Sequence, residues 1–242
     1  MSNNTVSNTT ISWSPDYEEW SSIYVDQIII LKVISALSAM GSSWIIYNLV
    51  IDVKDAADRK NKLHPTFNRL LLFLSIGDLM ASISLFFSSW CVWASPPIEY
   101  RAKLYIYYDT PWNIMYPQAA GNLTTCTVQG FFFTVAALST IFITGCIAVS
   151  FLLQVKYQVR ETSMRIVEKC SMGISTAIPL LAAILILVDK GFNPNDGGFC
   201  TIEAFPPQCG TAFSEKLQKY CATNMGVRGT KTRFHFIIFI IA

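Results

Sequence analysis

Charge is what this chain has least of. Of its 242 residues, 14% are charged and 52% are hydrophobic, where soluble domains carry about 25% charged residues. That leaves too little polar surface to keep the whole chain dissolved in water. Histidine is nearly missing too. His64 and His235 are the two present, and neither has a second ligand at metal spacing. No GxSxG, HExxH, P-loop or dinucleotide fingerprint occurs, so the sequence assigns no catalytic residue, metal or cofactor and does not read as an enzyme. The net charge is +2 and no basic run is long enough to track phosphates, which argues against nucleic acid as a partner. Internal repeats are not visible. Residues 1–23 contain no Lys or Arg, so they lack the basic start of a secretory signal peptide.

What is present instead is long apolar windows. Four of them, 28–51, 70–93, 128–153 and 171–188, meet the roughly 20 residues a helix needs to cross a bilayer. A fifth, "FHFIIFIIA" at 234–242, is too short to span as it stands. The fold class expected is all-α: a polytopic transmembrane bundle of four complete spans and the start of a fifth. Residues 1–23 form a tail and 24–242 the bundle. The chain reads as the N-terminal portion of a longer membrane protein, with membrane lipid as its first partner.

Basic residues set the expected orientation. The tail has none, and it holds Asp16, Glu18 and Glu19. The segment 52–69 carries Lys54, Arg59, Lys60, Lys62 and Arg69, and 154–170 carries Lys156, Arg160, Arg165 and Lys169. Those two loops should face the cytoplasm and the tail the exterior, in a multi-pass protein of the plasma membrane. The inner-loop charges read as anchors for anionic lipid. Sequons at Asn3, Asn8 and Asn122 fall in the predicted exterior segments and make glycosylation sites there. So do Cys126, Cys200, Cys209 and Cys221, where disulfides persist. Four cysteines allow three pairings. Bridging Cys126 to Cys200 would pin the long loop over the bundle and leave Cys209 and Cys221 to close a small ring. Free thiols are the alternative.

One carboxylate, Asp78, stands inside "LLFLSIGDLMASISLFF". A charge at mid-bilayer costs about 2.5–3.5 kcal/mol by insertion scales and therefore faces the bundle interior with a partner. Counting depth along the helices puts Ser42 and Ser43 of the first span and Thr144 of the third at its level. Three roles are open: a structural polar knot, a switch site for a cation or proton, and a transporter's coupling-ion site. Near the exterior end, Lys32 either snorkels to the headgroups or points into an outer pocket. Gln129, Phe133 and Trp93 lie at the same level, and a buried amide such as Gln129 needs a partner. "SALSAMGSSW" contains small-xxx-small pairs that let backbones approach closely. Pro179 breaks a hydrogen bond inside the fourth span.

Several stretches together resemble a known family. They are "SALSAMGSSWIIYNLV", "RLLLFLSIGDLMASIS", "CTVQGFFFTVAALSTIFITGCIAVSFLL" and "GFCTI". Joined to a sequon-bearing tail and short basic loops, they look like the front half of a seven-helix G-protein-coupled receptor. The nearest group is the cAMP-receptor-like one, which is also similar to the secretin-like receptors. The resemblance implies a pocket for an unknown extracellular ligand and coupling of the full-length receptor to a heterotrimeric G protein. It implies that Cys126 and Cys200 form the family's extracellular bridge and that Asp78 is its helix-two carboxylate. No acidic-Arg-aromatic triplet ends the third span, where "QVKYQVRE" stands, so rhodopsin-like activation is not implied. A small-solute transporter or channel fragment with Asp78 as ion site is the alternative, and a ligand-free four-span scaffold is a third.

Overall fold

Hydrocarbon has no water to satisfy backbone N–H and C=O groups, so apolar segments of this length are stable there as helices. The computed structural model describes residues 16–59, 65–95, 116, 118–158, 161–195 and 197–203. Within them run α1 (Asp16–Arg59), α2 (Pro65–Phe87), α3 (Leu123–Tyr157) and α4 (Glu161–Val188). A 3-10 turn, Ser88–Cys91, continues α2, and a two-stranded hairpin follows α4: β1 (Phe192–Pro194) and β2 (Cys200–Ile202). All four helices are long and apolar enough to cross a membrane, over Val25–Ile51, Phe67–Cys91, Leu123–Tyr157 and Ser163–Val188. The chain is an all-α multi-pass membrane protein. α1 and α3 outrun the windows 28–51 and 128–153 at both ends, and α2 and α4 begin before 70–93 and 171–188, because a helix needs backbone hydrogen bonds and not apolar side chains to continue past the hydrocarbon. α4 ends with its window, and α2 with its 3-10 turn stops at Cys91, short of 93, where Val92 turns extended. The region 234–242 lies outside the described residues.

The polarity of the bundle is the reverse of a soluble protein's. Val155 is 79% exposed, Val188 73% and Met40 69%, while Ser35, Ser42, Ser75, Ser82, Ser84, Ser171 and Ser175 are buried. On α1 the buried positions are Ile28, Ser35, Ser42 and Leu49. Their seven-residue spacing makes one narrow seam, the repeat of left-handed helix pairing. It lies against α2, where the Ser38 and Ser82 hydroxyl oxygens meet at 2.8 Å. Small side chains on both helices allow that approach. On α4 the buried stripe Met164, Glu168, Ser171, Ser175, Pro179, Ala182, Ala183 and Ile186 repeats every three to four residues and faces α3 and, at Glu168, α2. Pro179 carries no N–H for the Ser175 carbonyl, and the neighbouring Ser175 hydroxyl sits 3.8 Å from Cys146 Sγ on α3.

Some buried hydroxyls bond back to their own helix, whereas those of Ser88, Ser89, Thr134 and Ser150 have no hydrogen-bond partner among the described residues. Ser35, Ser75, Ser82 and Ser84 each donate to the carbonyl four residues earlier, at 2.6–2.9 Å. Thr127, Thr144 and Thr176 do the same from exposed or half-buried positions. A hydroxyl satisfied in this way can face lipid or a neighbouring helix at little cost.

The start of α3 is fixed locally. Asn122 Oδ1 accepts from the Thr125 N–H at 2.9 Å, and Thr125 Oγ1 accepts from the Asn122 N–H at 2.8 Å, a reciprocal capping box. Just before it, Gly121 pairs with the chain leaving α2. Its N–H donates to the Val92 carbonyl at 2.8 Å and its carbonyl accepts from the Ala94 N–H at 3.1 Å. A Cβ at Gly121 would collide with the Cys91 carbonyl and with Thr125 Oγ1. Backbone cannot swing away as a side chain can. Gly121→Ala is therefore expected to cost about 3 kcal/mol, the upper part of the overpacking range. In detergent this lowers the thermal midpoint by about 6 °C or more; an unchanged midpoint would contradict the pairing.

Candidate functional site

Two polar clusters occupy the interior, one at mid-span and one at the end of the bundle that carries the hairpin. Both are built on the α2–α3 pair, whose register is set by large and small contacts together. The rings of Phe67 and Phe151 meet at 5.3 Å near the far end. Asp78 lies eleven residues after Phe67 (67 to 78), and the residue eleven before Phe151 (151 to 140) is Thr140. Thr140 Oγ1 indeed donates to Asp78 Oδ1 at 3.2 Å. Gly77 permits this closeness, since a Cβ there would stand 3.0 Å from Thr140 Oγ1.

The surroundings of Asp78 differ from those counted by depth. Thr144 is one turn too far along α3; it is exposed, and its hydroxyl donates to the Thr140 carbonyl at 2.7 Å. Ser43 is exposed, and Ser42 is buried at the matching level of α1, where the Ser38–Ser82 contact sets the alignment. Depth counting assumed level, untilted helices; the Phe67–Phe151 contact moves α3 by one turn. Asp78 is only half-buried and accepts a single side-chain hydrogen bond, with no cation beside it among the described residues. Its second carboxylate oxygen has no donor among the described residues.

At the hairpin end, Gln129 is the hub. It is 5% exposed. Its Nε2 donates to the Ser84 carbonyl at 2.7 Å and to the Ser88 carbonyl at 3.2 Å, and its Oε1 accepts from the Cys200 N–H at 3.1 Å. All of the amide's main bonding capacity is used on backbone. The two carbonyls are those freed where α2 passes into the 3-10 turn, and Ser88 there has φ +22°. Beside the amide, Cys126 and Cys200 form a disulfide across 74 residues of sequence. Val92, Trp93 and Tyr116 bury it together with Ala119. The hairpin thus docks on α3, where Phe192 fills the space above Gly130 and Phe199 meets the Phe133 ring at 5.5 Å. Its turn reaches α1. Gly198, with φ +75°, approaches so near that an added Cβ would lie 3.2 Å from the Ile28 side chain.

Lys32 joins the same end from α1. Its ammonium donates to Gln118 Oε1 at 2.9 Å and stands 4.0 Å from the centre of the Trp90 ring. Of the residues grouped as an outer pocket, Lys32, Gln129, Phe133 and Trp93 are all brought to this end, but each is engaged with the protein itself. Asn122 is exposed, with its side-chain oxygen committed to the cap. Asn3, Asn8, Cys209 and Cys221 lie outside the described residues.

One ionic contact was not visible in the sequence. Glu168 on α4 is 3% exposed, and its Oε1 lies 3.3 Å from Arg69 Nη1 on α2. Arg69 itself is largely exposed and looks from the sequence like one more lipid anchor. The fold brings the two together across 99 residues of sequence. Among the described residues no group of three His, Cys, Asp or Glu is placed to hold a metal ion. Comparison of the sequence with known families finds no matching family model, and comparison with curated proteins finds no match.

Two expectations follow. Gln129→Leu leaves two buried carbonyls and the Cys200 N–H unsatisfied, at about 1–3 kcal/mol each. The variant should lose about 6 °C or more of thermal midpoint, and its Cys126–Cys200 bond should be reduced faster by dithiothreitol than that of the parent. At the far end, Arg69→Ala strands a buried carboxylate, whereas Glu168→Gln removes the charge and keeps a hydrogen-bonding group. Arg69→Ala should therefore be the more destabilising of the two. Equal midpoints for both variants would show that the pair does not hold α4.

Proposed function

We propose that the chain is the N-terminal portion of a seven-helix receptor that binds an extracellular ligand and signals to a heterotrimeric G protein. The observation that carries this reading is the disulfide from the first turn of α3 to the strand following α4, with the hairpin roofing the bundle between α1 and α3. A covalent roof of this kind over one end suits a protein that presents a shaped, rigid entrance to small molecules. The bond also supports placing that end on the oxidising side of the membrane, with the N-terminal tail outside and the plasma membrane as location. The distribution of Lys and Arg along the loops points the same way.

In this reading Asp78 is the switch. Its carboxylate, with one donor and a free oxygen at mid-span, would hold a proton or a small cation in one arrangement of the helices and not in the other. An agonist then acts by its differential affinity for those arrangements. Thr140, bonded to Asp78 from α3, would report the change to the helix that the disulfide ties to the roof. The residues that close the ligand pocket and the G-protein cavity belong to spans beyond α4.

The test starts from the complete transcript and its full-length product. A receptor predicts two or three further spans and binding of a nucleotide-free Gα subunit to membranes carrying the product. Asp78→Asn should then shift agonist affinity and abolish its dependence on sodium. If the transcript instead repeats the first half in inverted topology, and sodium binds without any Gα association, the transporter reading takes its place.

A further inference from the structure

A cavity of about 450 Å³ lies between α2 and α3 on the hairpin half of the bundle. Its walls are Met80, Ile83, Phe87, Val128 and Phe132, with Cys91 and Thr124 at its upper end. It does not open under the hairpin. Along α3, Cys126, Gly130 and Phe133 touch the hairpin, whereas Val128 and Phe132 lie on the opposite side of the helix. Ile83, Phe87, Val128 and Phe132 are each between two fifths and one half exposed, within segments that span the membrane. Among the described residues the cavity is therefore continuous with the surface turned to lipid, and a component of the bilayer can enter it.

The walls also state which component. Ser84 bonds to the Met80 carbonyl, Thr125 to Asn122 and Cys91 backbone, and Gln129 to three backbone groups. Among the described residues Thr124 is the lining hydroxyl without an intramolecular hydrogen bond, and it stands at the upper rim. From Met80 to Cys91 the groove follows about 16 Å of helix, close to one leaflet of hydrocarbon. An occupant must be apolar along a leaflet's depth, present flat faces to Phe87 and Phe132, and offer one hydroxyl at the interface. We propose that this groove is a binding site for a sterol, with its ring system between Phe87 and Phe132 and its hydroxyl bonded to Thr124. The site requires only that the helices span a bilayer, and it is independent of what the protein signals to or carries.

The groove contains its own reporter in the Cys91 thiol, which is free. The full chain is reconstituted in phospholipid vesicles with and without sterol and treated with a bilayer-soluble maleimide. Alkylation of the peptide containing Cys91 is then read by mass spectrometry, with Cys146 as internal control. Sterol at about ten times its dissociation constant should slow Cys91 labelling about tenfold and leave Cys146 unchanged. A diazirine-bearing sterol should crosslink to peptides from α2 and α3 and be displaced by unlabelled sterol. Val128→Trp, which fills the groove, should abolish the crosslink while the Cys126–Cys200 bond still forms, and Thr124→Ala should weaken it. Equal Cys91 labelling with and without sterol overturns the proposal. So does a diazirine-bearing phospholipid that crosslinks to the same peptides and is not displaced by sterol, since the groove then holds ordinary acyl chains.

Discussion

The structure depends on one constraint: a polar group inside hydrocarbon has nothing to bond to except the protein. Leaving it unpaired costs several kcal/mol. That constraint turns the usual distribution inside out, with serines in the seams and Val155, Val188 and Met40 on the surface. No hydrophobic drive holds the helices together, because lipid is as apolar as leucine. Close approach does the work instead. The seven-residue seam of α1, the Ser38–Ser82 bond and the Gly77–Thr140 contact each place small groups where two backbones meet. Serines that bond back to their own helix fit this scheme, since they supply bulkless packing without adding an unsatisfied donor.

The same constraint explains why Gln129 sits where it does. A helix that ends inside the membrane boundary exposes its last carbonyls, and α2 turns into a 3-10 segment at Ser88. Gln129 reaches across from α3 to cover the Ser84 and Ser88 carbonyls and uses its remaining oxygen on the Cys200 N–H. One amide therefore closes the end of α2, seats β2 and lies beside the disulfide. The hairpin, through Phe192, Phe199 and Gly198, then connects α4 to α3 and α1. Displacing any one of these parts removes support from the others, so this end of the bundle behaves as a single piece.

The four spans were legible from apolar length alone, and an inward-facing Asp78 followed from the cost of exposing it to lipid. The buried state of Gln129 followed from the same reasoning, but its partners did not, because backbone carbonyls carry no signature in sequence. The error of one turn at Thr144 has a geometric origin: depth counting cannot see tilt, and the Phe67–Phe151 contact that sets the register looks like any two aromatics. The hairpin is different, for its signal was there. "NPNDGGFCTI" has the Asn, Asp and Gly of a tight turn between short extended runs. In the structure Asn195 Oδ1 accepts from the Gly197 and Phe199 N–H groups. The length of the surrounding loop concealed it. Glu168 gives no such signal, because its partner lies 99 residues away.

Asp78 and Glu168 show how position separates two carboxylates of similar chemistry. Glu168 is almost wholly enclosed, yet a guanidinium stands beside it, and Arg69 reaches from that contact into solvent. A charge so matched has little reason to leave, and its work is to fasten α4 to α2. Asp78 is less enclosed but worse matched, with one hydroxyl and no cation beside it among the described residues. A lone hydroxyl does not balance a carboxylate at mid-bilayer depth. No other compensating group stands beside it among the described residues. Of these two carboxylates, Asp78 is thus the under-compensated one and Glu168 the matched one among the described residues.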